Sequence, residues 1–236
     1  MRLHRFIINF NLKTGDLRIK NSELYNQFRN VLELKRGEKI ILGDGKGKEG
    51  IAEFKNYGKD FIEIKISEIS VNQNEPQRRV VLYCAVLKKE NFEWVAQKAT
   101  EVGIAEIAPL ITSRTIKLDI RKERLEKIIK ESAEQSGRGV VPILRDPINF
   151  KAAISGVNKY GINFFSDQSG VSFENCKLKI ENLPLRVWVG PEGGWTPDEL
   201  KSAKKAGFEI ISFGKLTLRA ETAAIIGSYL AINTRE

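Results

Sequence analysis

Histidine and cysteine are almost absent: the 236 residues hold one histidine, His4, and two cysteines, Cys84 and Cys176. Metal centres built from clustered His and Cys are thereby all but excluded, because they need several such donors at short spacing. A Ser/His/Asp or Cys/His nucleophile would have to use His4, which stands in the N-terminal run MRLHRFII and reads as part of a strand. Long apolar runs are also missing. Nothing approaches the roughly 18 residues of a membrane span, and the longest candidate, residues 223–232, is broken by Gly227 and Ser228. The N-terminus has no apolar stretch of secretory length followed by small residues. With two distant cysteines, this leads to the expectation of a reduced, cytoplasmic protein. Acid is in short supply against base, 30 Asp and Glu against 39 Lys and Arg, for a net charge of +9. Such a surplus favours a polyanion partner, although ordinary solvated surface accounts for it equally well.

What is present suffices for a core, since 42% of the residues are hydrophobic. Two rhythms divide the chain. Up to about residue 70, strands are expected at 4–10, 38–43, 50–56 and 60–69. Ile62, Ile64 and Ile66 alternate with Glu63, Lys65 and Ser67 at the period of a half-buried strand. Asp44-Gly45 marks a hairpin turn, and one helix is expected over 22–32. This pattern suits a small β-barrel or sandwich. Residues 71–79, VNQNEPQRR, are polar and aperiodic and read as a linker. Beyond them strand and helix alternate. Strands are expected at 80–86, 106–110, 140–144, 162–165, 185–189 and 209–213. One helix carries Phe92, Val95, Ala96, Ala99 and Val102, and another carries Leu125, Ile128, Ile129 and Ala133. Such alternation predicts a parallel sheet covered by helices. The basic surplus is shared, +4 over residues 1–78 and +5 over the rest.

Three segments could carry chemistry. VGPEGGWTPDEL follows the strand at 185–189 and opens a helix, with Thr196 as N-cap, Pro197 in the first turn and Glu199 completing a capping box. A glycine-rich turn at a strand's C-terminal end is where open α/β sheets take ligands. It matches neither the dinucleotide nor the P-loop fingerprint, and a tight turn with no ligand explains it as well. FGKLTLRAETA also joins a strand end to a helix, with Arg219 and Glu221 supplying opposite charges. ESAEQSGR ends an amphipathic helix. Its Gln135 and Arg138, with Arg114, Lys117, Arg121, Lys122, Arg124, Lys127 and Lys130, could line a phosphate-binding face or an ordinary wet one.

Together with KKENFEWVAQKATEVGIAEIAPLITSRT, in this order and spacing, these motifs resemble the RsmE family. Its members are 16S ribosomal RNA uridine-N3 methyltransferases of the SPOUT class. The resemblance implies a two-domain α+β chain. Residues 1–72 would form a PUA-like, RNA-binding β-barrel. Residues 79–236 would form an α/β parallel-sheet SPOUT domain with a C-terminal trefoil knot. It further implies S-adenosylmethionine as cofactor, a homodimer, 16S ribosomal RNA or the assembled small subunit as partner, and neither metal nor membrane. Carried onto this sequence, the cofactor pocket would use Leu110, Ile111 and Thr112; Val189, Gly190, Pro191, Glu192, Gly193 and Gly194; and Phe213, Gly214, Leu216, Leu218, Thr222 and Ala223. The sequence departs from the family in its first domain, where Gln27 and Glu33 stand in place of an expected His and Arg.

With no histidine in the C-terminal domain, Arg219 is the expected stabiliser of a uracil anion, and Glu221 is expected to orient Arg219 or accept the proton. Arg2, Arg5, Arg114, Arg121 and Arg138 are the expected RNA contacts. Two competing readings are a non-catalytic basic RNA-binding or ribosome-associated protein and a nucleotide-dependent enzyme of another kind. The first leaves two glycine turns without a purpose, and the second lacks its phosphate-binding fingerprint.

Overall fold

A computed structural model describes residues 3–8, 10–116, 120–157, 160–176 and 183–234. The chain divides into two compact units, residues 1–75 with 133–141 and residues 76–132 with 142–236.

In the first unit, β1 (Arg5–Ile7), β2 (Gly15–Ile19), β3 (Lys39–Gly43), β4 (Lys48–Tyr57) and β5 (Ile62–Val71) form a five-stranded sheet in the order β1-β3-β4-β5-β2. Only the β1–β3 pair is parallel. The alternation in β5 does what its period predicts: Ile62, Ile64 and Ile66 are buried while Lys65 and Ser67 are exposed. At the β3–β4 turn the Asp44 carboxylate accepts from the backbone N–H of Lys46 and Lys48, at 2.7 and 3.0 Å.

Two expectations for this unit are corrected. The single helix over 22–32 is a short α-helix, α1 (Ser22–Asn26), followed by a π-helical turn at Gln27–Val31. The wider turn carries Phe28, fully buried, into the core beside Phe6 and Phe54. Nor is 71–79 a free linker at its start. Asn72 and Asn74 donate to the Gly137 carbonyl, and the Glu75 carboxylate accepts from Gly139 N (2.9 Å), Val140 N (3.0 Å) and Arg138 (2.8 Å). Burial raises the Glu75 carboxyl, but these donors outweigh it and hold it below the usual range. The ties explain why residues 133–141 join the first unit.

In the second unit the strands are β6 (Val80–Ala85), β7 (Glu106–Ile111), β8 (Ile143–Leu144), β9 (Ile148–Asn149), β10 (Ile162–Ser172), β11 (Leu185–Val189) and β12 (Glu209–Ser212). Their order is β12-β10-β11-β6-β7-β8, with β9 also on β7, and every pair is parallel. This is the α/β architecture that the alternation predicts. All six residues of β6 are buried, as a parallel strand covered on both faces requires. The helices are α2 (Lys89–Val102), α3 (Lys122–Ser136), α4 (Phe150–Gly156), α5 (Pro197–Lys205) and α6 (Ala220–Asn233); the last turn of α3 belongs to the first unit. Helix α6 packs on β6, β11 and α2. Side chains from α4 and α5 close over an aromatic cluster of Tyr83, Phe165, Trp188, Trp195 and Phe208. Within it Tyr83 and Trp188 stack with ring centroids 4.0 Å apart.

The strand expected at 140–144 is reduced to Ile143–Leu144. Pro142 has no N–H to give the ladder, and Val140 bridges Lys46 instead.

Candidate functional site

A cavity of about 510 Å³ opens at the C-terminal ends of the parallel strands of the second unit. Both glycine loops line it. From one come Val189, Gly190, Pro191, Glu192 and Gly194; from the other come Phe213, Gly214, Leu216, Leu218, Arg219, Glu221 and Ala223. Ser166, Asp167 and Gln168 add a third edge where the register between β10 and β12 shifts. This is the edge of a doubly wound sheet at which ligands bind.

The first loop is shaped by glycine. A Cβ on Gly190 would sit 3.0–3.1 Å from the Trp195 ring, and Gly194 has φ +70°, a conformation that side chains rarely adopt. Several bonds then fix the loop. Gly194 N–H donates to the Pro191 carbonyl at 2.8 Å, and the Trp195 indole donates to the Ser166 carbonyl at 2.9 Å. The expected capping box between Thr196 and Glu199 is formed. Glu199 does more than cap: its other oxygen accepts from Ser113 N at 2.9 Å, and Arg114 donates to the Gly193 carbonyl at 2.6 Å. Burial raises the Glu199 carboxyl, yet the N–H donors of Ser113 and Thr196 prevail and hold it below the ordinary carboxylate range.

Residues 113–114 brace the first loop, and the residues just before them are packed into the sheet or bonded locally. Leu110 is fully buried within the sheet, and Thr112 is buried and bonded to Thr115. Neither they nor Ile111, Gly193 and Thr222 are among the residues lining the cavity. Ser113 and Arg114 tie this segment to the first loop through Glu199 and Gly193. Proximity in sequence gave no signal for this, since Ser113 and Glu199 are 86 positions apart.

The second loop is less tied down. Leu216 is 80% exposed, and Gln168 donates to the Thr217 hydroxyl at 3.0 Å across the cavity. Arg219, exposed, is the N-cap residue of α6, and Glu221 stands in that helix's first turn. No hydrogen bond or ion pair joins the two among the described residues, so the expected orienting of Arg219 by Glu221 is corrected: Arg219 extends to solvent while one oxygen of Glu221 is buried.

The expected RNA contacts separate in the same way. Arg138 is 4% exposed and held by Glu75, and the Arg5 guanidinium is largely buried against Glu49. Both are committed internally, a correction that follows from the cost of burying an unpaired cation. Arg114 and Arg121 are exposed; Arg2 lies outside the described residues. Of the wider basic run, Arg124 is bound bidentately by Glu93 (2.6 and 2.8 Å) and Lys122 pairs with Asp146 (2.6 Å). Among the described residues no group of three His, Cys, Asp or Glu could hold a metal.

Comparison with known proteins fits this geometry. A family described as "RNA methyltransferase domain" matches residues 73–231. A ribosomal RNA small subunit methyltransferase E of Mesomycoplasma hyopneumoniae is 37% identical over 171 residues, covering 68% of this chain and 72% of the relative. The structure of an enzyme of that name from Neisseria gonorrhoeae, bound to S-adenosyl methionine, superposes with a TM-score of 0.89 at 28% identity, over 96% of this chain and 95% of the other. A methyltransferase from Legionella pneumophila, in complex with the same cofactor, gives 0.88 at 27% identity over 98% and 97%. The chain belongs to the RNA methyltransferase domain family and, within it, to the ribosomal RNA small subunit methyltransferase E proteins.

Proposed function

We propose that this protein methylates N3 of a uridine in 16S ribosomal RNA, using S-adenosylmethionine as donor. The observation that carries the reading is the cavity formed by two glycine loops at the C-terminal edge of the parallel sheet. At about 510 Å³ it falls in the range of pockets for small organic ligands, about 300–1,000 Å³. Backbone groups at 189–194 and 213–218 would read the adenine, with Val189, Phe213, Leu216 and Leu218 packing on it. S-adenosylmethionine, when bound, supplies a methyl group already activated on a sulfonium. The protein's share is then to exclude water, align the uracil and manage the charge that appears when N3 loses its proton. Arg219, exposed and among the residues lining the cavity, would stabilise that anion.

The finer features of the family belong to the same reading: a PUA-like barrel for residues 1–72, a trefoil knot in a SPOUT domain at 79–236, and a homodimer. The dimer has independent support in α6, which is apolar almost throughout, yet Tyr229 is 55% exposed and Ile225, Ile226, Leu230 and Ile232 are half-buried. Arg114 and Arg121 remain the candidates for phosphate contact, and a ribosomal RNA substrate goes with a cytoplasmic location. No helix among the described residues is long and apolar enough to cross a membrane.

The test is in two parts. Calorimetry should detect S-adenosylmethionine binding, and incubation with ribosomal RNA from cells lacking the gene should produce one new 3-methyluridine by mass spectrometry. Arg219→Ala should retain cofactor binding within about threefold and lose transfer by about 10²-fold or more, as removal of an anion-stabilising group does. Transfer at the unsubstituted rate would remove Arg219 from the mechanism.

A further inference from the structure

One charged group on the cavity wall has no use in the chemistry above. Glu221 lines the cavity, and its Oε2 is the one buried side-chain oxygen or nitrogen without a hydrogen-bond partner among the described residues. A buried carboxylate oxygen left unpaired is costly and persists where something else completes it. The other charged groups around the cavity are Lys88, Asp167, Glu192 and Arg219. Glu192 accepts from the Lys88 backbone N–H at 3.3 Å, and Asp167 accepts from the N–H and hydroxyl of Ser169 at 2.9 and 2.6 Å. Arg219 makes no ion pair with Glu221. The cavity thus carries three carboxylates against two cations, and Glu221 is the acid with a buried oxygen to spare. Glu221 and Glu192 lie close enough to Cys84, at the end of β6, to push its buried thiol further up after burial itself has done so.

A neutral donor or a cation could complete that oxygen, but with three carboxylates against two cations on the wall only a cation also balances the charge. An ammonium would bring three N–H donors and need several acceptors around it. A sulfonium has no N–H; it needs only an opposed charge and tolerates apolar neighbours, here Val189, Phe213, Leu218 and Ala223. We propose that the Glu221 carboxylate is the ionic partner of the methyl donor's sulfonium and makes the site prefer the donor over its neutral thioether product. Methyl transfer breaks the sulfur–methyl bond, leaves the electron pair on sulfur and removes the positive charge. The interaction with Glu221 ends in the same event, so product is held less tightly than donor. N3 supplies the electron pair of the new bond, and its proton passes to solvent. Glu221 acts on binding, and its role rests on the S-adenosylmethionine reading above.

The experiment is calorimetry on the full chain with S-adenosylmethionine and with S-adenosylhomocysteine, for the unsubstituted protein, Glu221→Gln and Glu221→Asp. Glu221→Gln should weaken S-adenosylmethionine at least tenfold and S-adenosylhomocysteine by less than about threefold; tenfold corresponds to about 1.4 kcal/mol. Glu221→Asp keeps the charge and should keep the preference for the donor, which tests the idea even if the glutamine variant does not fold. Equal losses for both ligands, no loss for either, or a preference lost in the aspartate variant would each overturn the proposal. If the unsubstituted protein binds neither ligand, it is the methyl-donor reading that fails. Binding by the unsubstituted protein with an unchanged ratio in Glu221→Gln defeats the role of Glu221 alone.

Discussion

The two walls of the cavity are built differently. The wall at 189–196 is braced by the Trp195 indole, the Thr196–Glu199 capping box, and donors from Ser113 and Arg114. Across from it, 213–219 presents Leu216 at 80% exposure and is tied over the cavity by Gln168 and Thr217. Both are glycine turns at strand ends, so sequence alone treats them alike. The difference teaches that one wall is preorganised, its conformation fixed by hydrogen bonds within the protein. The other offers side chains that gain burial only when a ligand arrives. Substitutions in the first wall should therefore be felt in stability, and those in the second in binding.

The strongest way to break this contrast is Trp195→Ala. The ring is 8% exposed, lies 4.3 Å from Phe165 and 5.2 Å from Phe150 between centroids, and donates to Ser166. Its loss should cost about 3–5 kcal/mol in urea denaturation. A cost under about 1 kcal/mol would mean that the wall is not braced as described.

Next is Glu199→Gln, which leaves one part-buried backbone N–H, of Ser113 or Thr196, facing an amide and should cost about 1 kcal/mol at neutral pH. The sign with pH follows from the lowered carboxyl. A carboxyl lower in the folded protein than in the unfolded chain adds stability above the unfolded value, near 4.5. That stability is lost as pH falls through the lower folded value. The penalty of the substitution should thus shrink as pH is taken from 7 towards 3. Parallel stability curves for the two proteins over that range would contradict it. The smallest effect is expected from Leu216→Ala: stability within about 0.5 kcal/mol, since an exposed side chain loses little, but weaker S-adenosylmethionine binding by calorimetry. A large fall in melting temperature would show that the second wall is as structural as the first.

Much of the frame was legible because it depends on neighbours in sequence. The alternation of Ile62, Ile64 and Ile66 and the all-apolar run of β6 each set a strand through their own periodicity. Thr196, Pro197 and Glu199 set a helix start within four residues. Short elements were not legible. β2 buries only Ile19, β9 has two residues, and α4 buries only Phe150 and Ala153; none is long enough to build a period. The π-helical turn escaped because Phe28 and Leu32 also fit an α-helical face. In the site, the lining residues of both glycine loops were readable, whereas the supporting role of Ser113 and Arg114 was not.

The sequence by itself determined that this chain alternates strand and helix after residue 80, that glycine turns end two of its strands, and that it has too few His and Cys to build a clustered metal centre from them. Tertiary structure alone decided which charges are spent. Arg138 is drawn inside by Glu75 from 63 positions away, and Ser113 meets Glu199 from 86. It also decided that Glu221 lines a cavity while one of its oxygens is buried without a hydrogen-bond partner. Periodicity and capping act over a few residues, whereas the pairing of buried charges depends on which distant segments the packed sheet brings together.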